Sequence, residues 1–438
     1  AIVNPLLPNY RGRELAHVFG TARPRVIVVA THYRGVDHPA LVAEVSASTG
    51  VQPHTIAVDD SPDGGRAWQA LLASGAAHRL GVGVPEAVSE IIFTSGTEAT
   101  PKAILHTEQT ASFSVRNAHT DLGVGDDDVV WMPSPVGHST GFNYGLRFAL
   151  HHGLPLVLQD AWDGDRALDL VLAHRLSYTL AATTFLHDLV YAARRRRVSL
   201  DSLRFFGCGG APVPAALVDA ATEVGARVLR LYGSTELLVA SWNRGDSPLE
   251  RRRHTDGRAL SHVEIQLRDP DGAVVDPDQP GELFARGPGC CVGFFADVER
   301  TAATFDTDGW VRSGDLLTMT DDGYVTVVGR RKEILIRGGV NIAPREIEDL
   351  LVAMPEIERA AVVGLPDERL GERMCACVVL TAGVESLSLD DIAVALLATG
   401  LARYKLPERL EILTDLPMTA SGKVQKHEIV RLLREPSR

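Results

Sequence analysis

The sequence predicts an α/β protein: a large N-terminal domain of doubly wound, largely parallel sheets with a small antiparallel β-barrel, then a small, mobile α+β C-terminal domain. Three features predict it. Between residues 25 and 231, short apolar strand runs alternate with amphipathic helices, the pattern of parallel strands covered on both faces. From about residue 263 to 328 the texture changes to short strands broken at Asp271-Gly272, Asp308-Gly309 and Asp322-Gly323, pairs suited to tight hairpin turns. A charged elbow at 329–348, GRRKEILIRGGVNIAPREIE, then leads into a tail of about a hundred residues, enough for a second small domain.

Taken in order, the strand runs fall at residues 26–30, 90–94, 129–132, 154–158, 178–181, 204–206 and 227–231. Helices separate them at 39–48, 108–122, 166–174 and 214–223. A further helix beginning near Phe185 ends in the arginine run 194–197, which reads as a solvated helix end. After the elbow come a helix at 344–352, strands at 359–364 and 374–380, a helix at 389–397, a strand at 409–413 and a loop carrying Gly422-Lys423. Pro344 suits a first helical turn and Glu346 favours the same end electrostatically. The expected domains are therefore 1–331, with its β-rich part at about 263–328, and 332–438. The opening stretch, AIVNPLLPNY, reads as the end of a strand entering a proline-rich turn, so further sequence is expected to precede Ala1.

At 438 residues the chain exceeds what one hydrophobic core serves. It is 45% apolar and 23% charged, as soluble globular proteins are, and its net charge of −12 argues against a nucleic-acid partner. No apolar run reaches membrane-spanning length and no signal peptide is visible. Five cysteines without metal-ligand spacing suggest reduced thiols and a cytoplasmic protein, with Cys375 and Cys377 on one face of a core strand.

Several loops carry chemistry. Residues 91–102, IIFTSGTEATPK, run an apolar strand into hydroxyls, a glycine and a lysine, the donors a polyphosphate needs, although not in the Walker spacing. Residues 230–236, RLYGSTE, lie at a strand end, where open α/β sheets bind ligands. There Tyr232 offers a ring for a base, Thr235 a hydroxyl for phosphate and Glu236 a carboxylate for Mg²⁺. Residues 207–212, GCGGAP, form a second strand-end loop with no side chains to block a planar ring. Asp315 follows a Ser-Gly turn and Arg330 comes one strand later, an acid and a cation that could hold ribose hydroxyls. Lys423 sits on a glycine-flexed loop near the chain's end. Each stretch alone also suits an ordinary polar turn.

In this order and spacing, from Ile91 to Lys426, the segments resemble the adenylate-forming superfamily of acyl-CoA synthetases, adenylation domains and luciferases. The resemblance implies that Thr94, Ser95, Gly96, Thr97 and Lys102 form a phosphate loop, and that Gly209, Gly210, Ala211, Pro212 and Tyr232 form the adenine slot. It implies that Thr235 and Glu236 contact the α-phosphate and Mg²⁺, and that Asp315 and Arg330 hold the ribose. Lys332 takes the hinge position, and Lys423 is the mobile lysine bridging carboxylate and α-phosphate. Gly338-Gly339 would then face a pantetheine thiol. The cofactors implied are ATP, Mg²⁺ and coenzyme A or phosphopantetheine, and the expected activity is ATP-dependent ligation of a small carboxylic acid to CoA. The alternatives are loading of a carrier protein, or nucleotide binding without turnover.

Three departures stand out. Glu98-Ala99 replaces the usual Thr-Gly, Arg230 sits where an amide often contacts adenine, and the family's leading segment is expected upstream of Ala1 and not within these residues. For the acid itself, His138 in PVGHSTGF borders the expected acyl pocket, and no aspartate is present there to hold an α-ammonium. Phe142, Phe185, Phe206, Leu237, Leu238 and Val239 are expected around it as an apolar set. Glu98 and GHSTGFNYGL resemble alicyclic and short- to medium-chain acyl-CoA ligases, cyclohexanecarboxylate-CoA ligase among them; aryl acids also fit.

Overall fold

The computed structural model describes residues 1–58, 68, 72–75, 83–94, 101–337, 340–367, 370–419 and 423–434. Contacts divide the chain into two compact units, one of Ala1–Gln109 with Val292–Thr301, the other of Thr110–Cys291 with Ala302–Arg438. This division does not run through Lys332, whose following residues cluster with the second unit.

In the first unit, strands Val26–Ala30 and His54–Val58 pair in parallel across helix His38–Thr49. That helix starts where the Asp37 carboxylate accepts the Ala40 amide at 2.9 Å, and it ends at Gly50 in the left-handed region (φ 71°). The run predicted at 90–94 is strand Val88–Phe93, and its partner is not parallel. It pairs antiparallel with Ala103–Thr107, which pairs in turn with Gly293–Phe294. A buried apolar run looks the same beside either kind of neighbour, so sequence could not distinguish them. Phe19, Val45, Ile91 and Phe93 are among the side chains closing this unit's core.

The second unit is built on a seven-stranded sheet ordered Arg258–Ala259, Leu238–Trp242, Val228–Ser234, Phe205–Gly209, Tyr178–Ala181, Val130–Met132, Leu156–Leu158. The five strands from Val228–Ser234 to Leu156–Leu158 are parallel, as predicted, and the other two join antiparallel. Both faces are covered. Trp131, Leu168, Leu186 and Phe206 pack on one side, and Met132, Phe148, Tyr178 and Trp242 on the other. Fully burying each such side chain contributes about 1.5–3 kcal/mol. A Cβ on Gly207 would lie 2.4 Å from Trp242 Cζ2, so the indole occupies the space a larger residue would need. The arginine run ends helix Thr183–Arg196 as expected, in exposed pairs of Arg194 with Glu223, Arg195 with Asp165 and Arg196 with Asp169.

The Asp-Gly-rich stretch forms a four-stranded antiparallel sheet, Glu264–Arg268, Gly281–Arg286, Val311–Met319 and Val325–Arg330. A 3₁₀ turn, Arg331–Glu333, leads from it into the C-terminal sheet. There Ile357–Asp367 and Gly371–Leu380 pair antiparallel, and Arg409–Ile412 adds in parallel. Helices Pro344–Val352, Leu389–Ala398 and Lys426–Arg434 complete this part, with Ile347, Val362, Met374 and Ile392 buried among them. Cys375 and Cys377 share a strand face in the core, as expected.

Candidate active site

Of the expected site residues in the second unit, Gly209, Gly210, Tyr232 and His138 lie at or after the carboxyl ends of parallel strands, the position open α/β sheets favour for ligands. Strand Val228–Ser234 carries Tyr232 and passes Thr235 and Glu236 into a tight turn. Leu238 closes that turn at φ 54°, a conformation bulky residues rarely adopt. Nothing in the sequence marks this strain. Gly233 permits the return, because a Cβ there would lie 2.1 Å from Leu238 O.

The glycines of GCGGAP have different reasons to be glycine. A Cβ on Gly209 would lie 2.4 Å from Leu231 O, so its bareness accommodates the next strand. Gly210 needs a positive φ of 77°, and a Cβ there would meet only Lys423, with Cε at 3.6 Å. Pro212 anchors the loop by accepting the Thr183 hydroxyl at 2.9 Å, and Ala211 beside it is partly exposed.

Asp315 is the best-fixed group. Register places it opposite Arg330, whose Nε is 3.0 Å from Oδ1, and the Tyr232 hydroxyl donates to Oδ2 at 2.7 Å. Burial pushes the Asp315 carboxyl up, while Arg330, the Tyr232 hydroxyl and Lys423 act to keep it ionised. The Arg330 guanidinium is raised: burial opposes its charge, but Asp315, Glu333 and Glu236 favour it. Tyr232 thus uses its hydroxyl to orient an acid, besides offering a ring. Tyr232→Phe is expected to raise the KM for ATP about tenfold, the lower end for one hydrogen bond to a charged group (about 1.5–3 kcal/mol). ATP titrations of the exchange reaction measure it, and an unchanged KM would mean that Arg330 alone orients Asp315.

Lys423 reaches this cluster from the C-terminal loop. Burial and Arg330 lower its ammonium, and Asp315, Glu236 and Glu333 act in the opposite direction. His138 faces the same lysine: burial first, then the Lys423 charge, push the imidazole down to about 4. Its Nδ1 accepts the Thr140 amide at 3.2 Å, which leaves the proton of the neutral ring on Nε2. His138 directly precedes the turn into a π-helical stretch, Thr140–Arg147, a geometry common at functional sites. Gly141 and Gly145 allow it, since Cβ atoms there would approach Pro135 O at 2.2 Å and Met132 Cγ at 2.5 Å.

Other expectations fare differently. Arg230 is committed away from any base: its Nη2 donates to Asp256 at 2.8 Å and its Nη1 to Arg253 O at 2.6 Å. The apolar acid-pocket set does not form one wall. Phe206 is fully buried in one core cluster with Phe185 packed against it, Leu238 and Val239 belong to a second cluster, and Leu237 to a third. Leu237 and Val239 do share a small pocket with Phe113, Asn117 and Cys290. In the first unit, Thr94 and Lys102 close the base of a hairpin, with Thr94 N to Lys102 O at 3.0 Å and Lys102 N to Thr94 Oγ1 at 3.2 Å. Ser95, Gly96, Thr97, Glu98 and Ala99, like Gly338 and Gly339, lie outside the described residues. At Lys332 the backbone forms the middle of the 3₁₀ turn.

Asp315, held by Arg330 and Tyr232, together with the loop-borne Lys423 ammonium, makes a charged cluster suited to a polar, anionic ligand. The chain belongs to the AMP-binding enzyme family: that family matches residues 1–295, and the AMP-binding enzyme C-terminal domain matches 346–423. It is 35% identical to a medium-chain fatty-acid–CoA ligase of Escherichia coli K12 over 97% of this chain and 76% of that protein. It is 32% identical to an indoleacetate–CoA ligase of Aromatoleum aromaticum over 99% of this chain and 84% of that protein. ATP-bound MatB from Rhodopseudomonas palustris superposes with a TM-score of 0.89 at 26% identity, covering 99% of this chain and 84% of that one.

Proposed function

We infer that the protein is an AMP-forming acid–CoA ligase acting on uncharged carboxylic acids of aliphatic, alicyclic or aryl body. The observation carrying this assignment is Lys423, in a member of this family: its Cε lies 3.6 Å from where a Cβ on Gly210 would stand, and its charge acts on the Asp315 carboxyl and the His138 imidazole. An acid carboxylate attacks the α-phosphorus of ATP, pyrophosphate leaves, and an acyl-adenylate forms; a CoA thiol then attacks the acyl carbon and AMP leaves. Lys423 bridges the negative carboxylate and α-phosphate, and Thr235 donates to the same phosphate. Asp315 accepts the ribose hydroxyls beside Arg330. Gly209, Gly210, Ala211, Pro212 and Tyr232 border the base, while 94–97 and Lys102 hold the outer phosphates. His138 presents its Nε2 proton beside the carboxylate. Catalysis is mainly positioning and charge neutralisation.

Glu236 suits Mg²⁺. It is one partly exposed carboxylate at a turn, and Mg²⁺ is ordinarily held by one or two carboxylates together with substrate phosphates. Among the described residues no cluster of three or more potential ligands offers an all-protein cage. Bound there, the ion would neutralise phosphate charge. Residues 1–331 and 332–438 act as large and small domains joined at Lys332, and Gly338-Gly339 approaches the thiol after the small domain turns. The five free cysteines suit a reducing compartment, and the proposal places the enzyme in the cytoplasm.

ATP–pyrophosphate exchange across a panel of carboxylic acids tests the assignment. Medium aliphatic, alicyclic and aryl acids are expected to support exchange, and free α-amino acids are not. Segment 135–142 contains no carboxylate, and Leu237, Val239 and Ala240, which line the small pocket beside Phe113 and Asn117, are apolar. Burying an unpaired ammonium against them costs several kcal/mol. Robust exchange with an α-amino acid would overturn this acid class. Thioester formation with CoA, set against a holo-carrier protein, decides the acceptor.

A further inference from the structure

Lys426 is a second lysine beside the first, and the reaction does not use it. It opens helix Lys426–Arg434, and its ammonium lies 2.8 Å from Glu348 Oε1 and 3.2 Å from Glu333 Oε2. Burial opposes its charge, yet the two carboxylates raise its pKa. Glu348 is itself buried and accepts the Val362 amide at 2.7 Å, which ties it to the C-terminal sheet. Glu333 ends the 3₁₀ turn that contains Lys332. Replacing a buried ion pair by apolar side chains is often neutral or stabilising, so stability alone does not account for this cluster. Orientation does.

The backbone around Lys423 explains what is being oriented. Thr419 N donates to Lys423 O at 2.7 Å, Lys423 N to Thr419 Oγ1 at 3.0 Å, and Gln425 N to Pro417 O at 2.8 Å. Lys423 and Lys426 therefore project from one closed loop base. The Glu333 carboxylate also acts on the Lys423 ammonium and on Arg330. One carboxylate next to the hinge turn thus serves three cations: Arg330 before the turn, Lys423 in the site and Lys426 below it.

We propose that Glu333 and Lys426 are positioning residues for Lys423: the Glu333–Lys426–Glu348 cluster clamps the lysine loop to the hinge turn and sets how far Lys423 reaches. The proposal rests on the adenylating role given to Lys423. Displacing a catalytic group by ~1 Å costs on the order of a hundredfold, so a loosened clamp should cost about tenfold or more.

Glu333→Gln and Lys426→Met test it. Each should lower kcat for pyrophosphate exchange about tenfold or more, with the KM for ATP little changed in Lys426→Met. Thioester formation from supplied acyl-adenylate should be spared. In a Lys423→Ala background Glu333→Gln should have no further effect, because nothing is left to position. Full exchange activity in both single variants overturns the proposal, and so does an undiminished loss in the Lys423→Ala background, which marks a general structural role. Amide hydrogen exchange across 417–426 needs no turnover: faster exchange in Glu333→Gln supports the clamp, and unchanged exchange overturns it. Wild-type protein inactive on every acid would sink the ligase assignment, and the amide measurement would still decide the clamp.

Discussion

Lys423→Ala is expected to lower ATP–pyrophosphate exchange by at least about a hundredfold, the scale for losing one charge-stabilising donor at a developing anion. Transfer to CoA from supplied acyl-adenylate should change little, because the carboxylate has by then been activated and AMP is already in place as its leaving group. The fold should be indifferent. Burial already works against the ammonium, and the Asp315–Arg330 pair at 3.0 Å remains when the lysine goes. A thermal melt close to wild type, with one half-reaction lost and the other kept, is the signature. Equal loss in both half-reactions with normal stability would remove Lys423 from its assigned role.

What could be read from the sequence follows the range of the interactions involved. Strands Val26–Ala30 and Tyr178–Ala181 match their expected bounds, because each is written as consecutive apolar or β-favouring residues; the second is buried throughout, while Val26 and Val28 of the first are exposed. The return strand Leu238–Trp242 was missed: it begins directly after the STE turn, whose closure depends on strained Leu238. Helix Lys426–Arg434 follows directly on the Gly-Lys loop, where the sequence predicts no further element. At the site, loop chemistry pointed to Tyr232, Asp315 and Arg330 separately. The hydrogen bond from Tyr232 to Asp315 spans two sheets, and no local pattern reports it. Arg230 shows the converse. Its position suggested a contact with the base, and packing against Asp256 settles its orientation instead. Phe206 likewise read as pocket lining, but alternation along its strand turns it into a core.

Lys332→Pro is expected to separate the two half-reactions, and the backbone indicates which one survives. Lys332 sits mid-turn in the 3₁₀ segment Arg331–Glu333, with Lys423 already among Asp315, Glu236 and His138. A 3₁₀ turn holds φ near −50 to −70°, which proline matches at about −65°. Amides in a first helical turn have no intrahelical acceptor, so losing one there costs little. The preceding residue resists helical geometry before a proline, and Arg331 should contribute a modest strain. The substitution should therefore lock the conformation seen, with exchange retained and thermal stability near normal. In the proposed mechanism the small domain turns before thioester formation, so with φ fixed that step should fall by on the order of a hundredfold, taking overall turnover with it. Stopped-flow adenylation followed by a CoA chase separates the two steps. A well-folded Lys332→Pro enzyme with full turnover would show that no rotation passes through this residue, and the elbow between residues 329 and 348 would be an ordinary linker.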